Sequence, residues 1–296
     1  MKTRWWLVGL WGVGCLMSGA GGPSFAEFAY HGGPVAEKGS VPEPFLVAGL
    51  GLQYHGGAVA EQGRVAAPVL VIEALRLQYQ GGPVIEKGTI SGVVKAAGKP
   101  PAPKPIEVNK DQDVCGKSQP AESLILGAGN EVKNALVRLT NIVKGKRLDT
   151  KTKVVLDQAK CQFVPQVVIV PVGATLEIKN SDPITHNFRT FSIENDPINR
   201  AQPKNGPVIS TKFTLPEMFK AQCDIHKWMS AWIVAADHPY VAVTDDKGQF
   251  QLADVPPAPG AGFYEMEIWH ETLGKVAKEV IVKKNADTSV SVDLKK

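Results

Sequence analysis

Four side chains in the second half of the sequence carry ligand chemistry. Cys223, His226 and Met229 stand at C-x2-H-x2-M spacing in Cys223-Asp224-Ile225-His226-Lys227-Trp228-Met229, and His186 lies 37 residues before the cysteine. A thiolate, two imidazoles and a thioether form the donor set of a type 1 (blue) copper centre. In such a centre the Cys and two His make a trigonal plane and the Met a long axial bond. Copper(I) favours soft sulfur and copper(II) favours imidazole, so a rigid compromise between them costs little to rearrange when one electron moves. The plain alternative is that Cys223 and Met229 are core residues and the histidines are hydrogen-bonded structural groups. Any one of the four alone favours that alternative; four in order at ligand spacing favour the metal.

Such a site needs a stiff scaffold. The C-x2-H-x2-M loop, set between two strands, supplies three donors, and 37 residues are enough chain to bring His186 from a neighbouring strand. The segments Ile90–Ala96, Asn134–Leu139, Val164–Val172, Ala174–Lys179, Ile209–Leu215, Ala231–Ala236 and Tyr240–Val243 read as strands, apolar or alternating. Phe250–Leu252, Phe263–Trp269, Val276–Val282 and Ser289–Leu294 continue the series, and no long helix of 3.6-residue period is visible after residue 90. Many short strands broken by turn residues predict an all-β sandwich.

The ligand loop resembles that of small cupredoxins of the amicyanin and plastocyanin type. Thr185-His186-Asn187 is similar to the cupredoxin His-Asn pair, and the run Val170 to Asp182 resembles the "V-x-x-G-x-T-V-x-F-x-N-x-D" stretch before it. The likeness covers roughly residues 150–236. It implies a Greek-key cupredoxin sandwich holding one copper ion on His186, Cys223, His226 and Met229, with Asn187 tying the two ligand loops together. It also implies single-electron transfer to a redox protein partner, through His226 as the more exposed ligand and with Cys223 as the coupling path inward. A copper carrier or storage protein, and a metal-free structural or binding module on the same fold, remain as alternatives. The redox reading fails if Cys223 is disulfide-bonded. With Cys223 given to the metal, Cys115 and Cys161 remain as a disulfide pair, two free thiols being the alternative. That link would close a loop of roughly 45 residues and stabilise by about 3–4 kcal/mol.

A second resemblance is split in two. Gly92-Val93-Val94 with Gly98-Lys99-Pro100 and Ala135-Leu136-Val137-Arg138-Leu139 is similar to the opening half of a carboxypeptidase regulatory-like (transthyretin-like) sandwich. Thr244-Asp245-Asp246-Lys247-Gly248-Gln249-Phe250, Val255-Pro256-Pro257 and Tyr264 to Ile268 resemble its closing half, with a longer loop at Ala258 to Gly262. The expected layout is therefore 89–149 and 237–296 as two halves of a transthyretin-like, non-enzymatic binding and packing module around a cupredoxin domain at 150–236. His238 and His270 fall in the closing half, as a second metal site, a proton-linked contact or hydrogen-bonded structural groups. Trp228 reads as a partner-facing patch or as a ring half-packed beside the site. Lys220 and Lys227 would give the rim a positive edge that suits an acidic partner.

The rest of the sequence sets the compartment. Residues 1–26 read as a signal peptide: Lys2 and Arg4, an apolar stretch Trp5–Met17, then Ser24-Phe25-Ala26 before the cut. Cleavage removes two basic residues and no acid, taking the net charge from +4 to +2. An uncleaved anchor, or lipidation at Cys15, are the alternatives. The expected location is periplasmic or otherwise secreted, with no membrane span after cleavage. The 296 residues, 44% hydrophobic and 21% charged, give no polybasic footprint, so no nucleic-acid partner is expected. No phosphate loop, nucleophile–base pair, paired carboxylates or H-x-H motif argues for catalysis, and the expected protein is not an enzyme. Oligomeric state is not readable. Residues 27–88 repeat one motif three times, around Tyr30, Tyr54 and Tyr79, and read as a mostly flexible spacer. His31 and His55 suggest metal binding, but Gln80 replaces His in the third copy.

Overall fold

Alternation builds the strands. Leu176-Glu177-Ile178-Lys179 turns Leu176 and Ile178 inward and leaves the charged residues outward, the period-2 pattern of a half-buried strand. The computed structural model describes residues 78–98, 100, 103–258 and 262–295, which lie in the unit Ala74–Lys296. In chain order the strands begin with β1 (Gln80–Gly81), β2 (Gly88–Ala96), β3 (Ile106–Glu107), β4 (Ser118–Gln119), β5 (Leu136–Leu139) and β6 (Lys144–Gly145). A one-turn helix, α1 (Gln112–Cys115), separates β3 from β4. There follow β7 (Val154–Ala159), β8 (Gln162–Val164), β9 (Val167–Pro171), β10 (Leu176–Asn180), β11 (His186–Thr190), β12 (Asn199–Gln202) and β13 (Ile209–Thr211). Then come β14 (Glu217–Gln222), β15 (Ser230–Ala236), β16 (Val241–Val243), β17 (Gln249–Val255), β18 (Tyr264–His270), β19 (Gly274–Val280) and β20 (Asp287–Leu294).

Two sandwiches result. The first joins the sheet β13-β10-β7-β8 to the sheet β12-β11-β14-β15-β9. Leu156, Phe163, Leu176 and Ile178 from one sheet share a single core with Phe188, Phe219, Ala231 and Ile233 from the other. The second joins β16-β5-β18-β19 to β17-β2-β20, around Ile90, Val137, Phe250, Tyr264 and Ile268. Its strands come from both sides of the first sandwich in sequence. A third apolar cluster, with Leu136, Val167 and Val234 at its centre, links the two. There Trp232 and Trp269 meet edge to face at 4.8 Å, and the Trp232 indole and Gln166 amide both donate to Glu271.

The all-β expectation matches what is seen, with local differences. Val164–Val172, read as one strand, is two: Pro165 has no N–H to give a ladder, and β8 ends before it. The third repeat copy is described from Gln78 onward, and it makes contacts there. Tyr79 donates its hydroxyl to the Lys146 carbonyl at 2.6 Å, and Gln80–Gly81 pairs in parallel with Lys144–Gly145. The first two copies and residues 1–26, including Cys15, lie outside the described residues. Among the described residues no helix is long and apolar enough to cross a membrane.

One loop yields a pH prediction. The chain between β11 and β12 is fixed by Glu217, whose carboxylate accepts from the Ser192 hydroxyl, the Ile193 N–H and Asn195. Burial pushes this carboxyl up, but those hydrogen bonds outweigh it and hold the group at about 2. A depressed native value means stability that is complete above the ordinary carboxylate range and is lost as pH falls toward 2. Glu217→Gln is expected to lower stability at neutral pH and to flatten the acid limb of the unfolding profile. An unchanged acid limb in urea titrations from pH 7 to 2.5 would contradict this.

Candidate metal centre

His186 opens β11, while Cys223 and His226 sit in the short connection from β14 to β15. This loop closes on itself: Cys223 N–H donates to the Met229 carbonyl at 3.1 Å, and Met229 N–H to the His226 carbonyl at 2.9 Å. Those two bonds make a tight turn of C-x2-H-x2-M and bring the Cys223 sulfur to 3.7 Å from His226 Nδ1. The Cys223 sulfur is buried, accepts the His226 N–H and the Asn187 N–H at 3.3 Å each, and carries no disulfide.

His186, Cys223 and His226 bring one donor each within 4.8 Å of the others, all buried. The two Nδ1 atoms face each other at 2.9 Å, and Cys223 Sγ lies 3.7 Å from His226 Nδ1. Each ring has its outer nitrogen taken. His186 Nε2 meets Asp182 Oδ2 at 2.8 Å, and His226 Nε2 meets Asp111 Oδ2 at 2.7 Å. An ionised carboxylate only accepts, so each Nε2 carries a proton, and in the neutral ring Nδ1 then presents a lone pair. Two lone pairs at 2.9 Å repel unless a proton or a cation lies between them. Burial pushes the His186 pKa below its ordinary value and the neighbouring His226 pushes it further, against the pull of Asp182. The neutral ring is the metal-binding form. The donor set therefore fits a thiophilic, imidazole-binding cation such as copper. Met229 is fully buried in the same core, and its backbone closes the loop.

Asn187 bridges the two ligand segments. Its N–H goes to the Cys223 sulfur, its side-chain oxygen accepts from Asp224 N–H at 3.2 Å, and its amide donates to Asn199. Cys115 and Cys161 form a disulfide across 46 residues. A second group, Cys161, Asp182 and His186, also clusters, but its sulfur is in that disulfide and so is no thiolate.

Three expectations change. His226 is not the more exposed ligand: both imidazoles are fully buried. The edge expected to face a partner is covered by Asp111, which lies in the stretch expected to belong to the other module. Its neighbours Val108 and Cys115 pack instead into the core that also takes Cys223 and Met229. Trp228 is half-buried, donating its indole N–H to the Cys161 carbonyl at 3.1 Å, with its ring tilted 60° against His226 at a centroid distance of 5.1 Å. His238 and His270 are buried, each accepting backbone N–H groups on Nδ1, with pKa values lowered by burial. Neither joins a candidate metal group among the described residues.

Sequence reasoning missed the two carboxylates. Asp182 closes the motif run before His186 and stands four residues from it, a signal that could have been used. Asp111 has no such signal, being 115 residues from its histidine.

No family model and no curated protein matches the chain. Solved structures do. A copper-containing nitrite reductase (NirK) from Thermus scotoductus is 24% identical over 33% of this chain and 25% of its own, at a TM-score of 0.26. The reduced Cu(I) form of an amicyanin mutant is 22% identical over 30% of this chain and 86% of its own, also at 0.26. A purple cupredoxin from Nitrosopumilus maritimus is 18% identical over 28% of this chain and 99% of its own, at 0.25. The chain thus spans about a quarter of the nitrite reductase, and each likeness is confined to a third or less of this chain.

Proposed function

We propose that the protein is a secreted, periplasmic-type copper protein that carries single electrons and is not itself an enzyme. The observation that supports this is the convergence of His186 Nδ1, His226 Nδ1 and the Cys223 sulfur, with both outer imidazole nitrogens already committed to carboxylates. Copper bound there would supply a one-electron couple. His186, Cys223 and His226 would hold it, with the Met229 thioether as a further soft donor. Asn187 keeps the two ligand segments in register, and the two-sheet core keeps them from moving when the charge changes. Exposed Lys227 on the ligand loop, with Lys220 on β14, suits an acidic redox partner. On this reading the second sandwich is the transthyretin-like module, built from 89–149 without the stretch 106–119 and from 237–296, and serves packing or docking.

Burial of both histidines supports a second reading, a copper carrier that retains its ion until a partner opens the site. Copper(II) titration of the intact protein, followed by visible absorption, tests the centre. One equivalent is expected to give an intense thiolate-to-copper band, absent in Cys223→Ser. No band, with Cys223 shown to be a free thiol, would sink the copper reading. Handover of bound copper to an apo copper-binding partner protein within minutes, with a small chelator unable to take it, would favour the carrier over the electron-transfer protein.

A further inference from the structure

The structure holds a strap that the site does not need for its ligands. Residues 106–119 leave the second sandwich's sequence neighbourhood and lie over the ligand end of the first. β3 and β4 pair antiparallel at the base of the strap, and α1 forms its tip. Val108 and Cys115 are buried in the ligand core, and the Cys115–Cys161 link fixes the tip to the β7–β8 turn. Two glutamines brace the backbone: Gln112 donates to the Val108 carbonyl, and Gln119 to the Cys115 carbonyl. At the centre stands Asp111, in the left-handed region at φ 51°, a conformation that Asp tolerates better than most residues. An unfavourable backbone held by surrounding structure is a reason to look for a role.

The role is at the His226 ring. His226 is wholly shielded, whereas the Asp111 side chain is 36% exposed. At this edge one carboxylate separates the imidazole from water.

We propose that Asp111 is a positioning residue that orients His226 toward the metal, and that the strap carrying it is a cover over the metal centre, held shut by the Cys115–Cys161 cross-link. The metal half of this rests on the copper reading; the cover does not. The carboxylate fixes the proton on His226 Nε2 and so turns the Nδ1 lone pair inward. With the strap in place, neither a thiol reagent nor a chelator reaches the centre from the His226 side.

The test uses the intact protein with two probes. Iodoacetamide alkylation of Cys223 under native conditions reads the cover without metal. Loss of bound copper to a chelator, bathocuproine disulfonate with ascorbate, reads it with metal. Asp111→Ala is expected to raise both rates by about tenfold or more, and Asp111→Asn, which keeps an acceptor oxygen, by less than about threefold. Long-range proton–nitrogen NMR of the imidazoles gives a third readout, which mere loosening of the fold would not mimic. Wild type and Asp111→Asn should show His226 protonated at Nε2, and Asp111→Ala a mixture of tautomers. The double variant Cys115→Ser with Cys161→Ser should resemble Asp111→Ala; if it does not fold, Asp111→Ala still decides. Wild-type alkylation and tautomer in folded Asp111→Ala would overturn the proposal. Failure of the wild type to take up copper, with Cys223 unmasked in Asp111→Ala, would leave the cover standing and remove the copper reading.

Discussion

Asp182→Ala is expected to lower stability by about 3–5 kcal/mol and copper affinity by about 10–100-fold. Its carboxylate is buried and serves three donors: Lys160 N–H at 2.7 Å, Cys161 N–H at 2.8 Å and His186 Nε2 at 2.8 Å. The first two belong to a two-residue hairpin turn between β7 and β8, in which Lys160 and Cys161 both sit at positive φ, 55° and 58°. A turn of that type usually takes Asn-Gly, because each non-glycine residue there costs about 1 kcal/mol. Here the anion offsets that cost by binding both amides. The same turn carries the disulfide and accepts the Trp228 indole N–H. Removing the carboxylate therefore leaves the buried Cys161 amide and the partly buried Lys160 amide without a partner and lets the His186 ring turn. Urea unfolding measures the first effect, and competition with a copper chelator the second. A loss below about 1 kcal/mol would mean that the cross-link alone holds the turn. Unchanged copper affinity would mean that packing, not Asp182, aims His186. Asp182→Asn should fall between, since its amide presents hydrogens to donors that need an acceptor.

What the sequence made legible follows the range of the signal. Cys223, His226 and Met229 were readable because a single tight turn holds them, and the chain itself fixes their spacing. His186 was readable because the residue after it, Asn187, has a task in the same place. Alternation found β10, where buried and outward residues trade places from Leu176 to Lys179, and a continuous apolar run found β15, whose last four residues are all buried. It missed β7, whose Asp157 and Gln158 interrupt the apolar pattern although Gln158 is wholly buried and donates to Gln202. It also missed β14, where Met218 and Lys220 make the outer face look like loop. The strap escaped for a different reason. Its sequence is polar and follows a proline-rich stretch, so composition says linker; what makes it structure is a cross-link to Cys161 and one hydrogen bond to His226, both contacts across long spans of chain. Exposure of His226 was misjudged for the same cause, because what covers a ligand comes from elsewhere in the sequence.

Opening the Cys115–Cys161 cross-link in the metal-free protein is expected to cost about 4 kcal/mol, the chain-entropy value for the 46-residue separation. The first sandwich should bear this loss, since β7, the β7–β8 turn and the strap are the parts that the link restrains. For a domain of this size the shift is about 10 °C in the corresponding unfolding transition. The second sandwich has its own core, so a separate transition assigned to it should move far less. Differential scanning calorimetry of wild type and the Cys115→Ala, Cys161→Ala double variant compares the two directly. Val108 sets the competing possibility. It is 3% exposed and buried in the ligand core, and burial of that kind is worth about 1.5–3 kcal/mol. If the double variant loses less than about 1 kcal/mol, the strap is held by that packing and the pairing of β3 with β4. The link would then govern how often the strap opens, not where it rests. If the variant loses the full amount while Val108→Ala loses little, the strap stays closed because it is tethered, and a dithiol reductant able to reach Cys115 would release it.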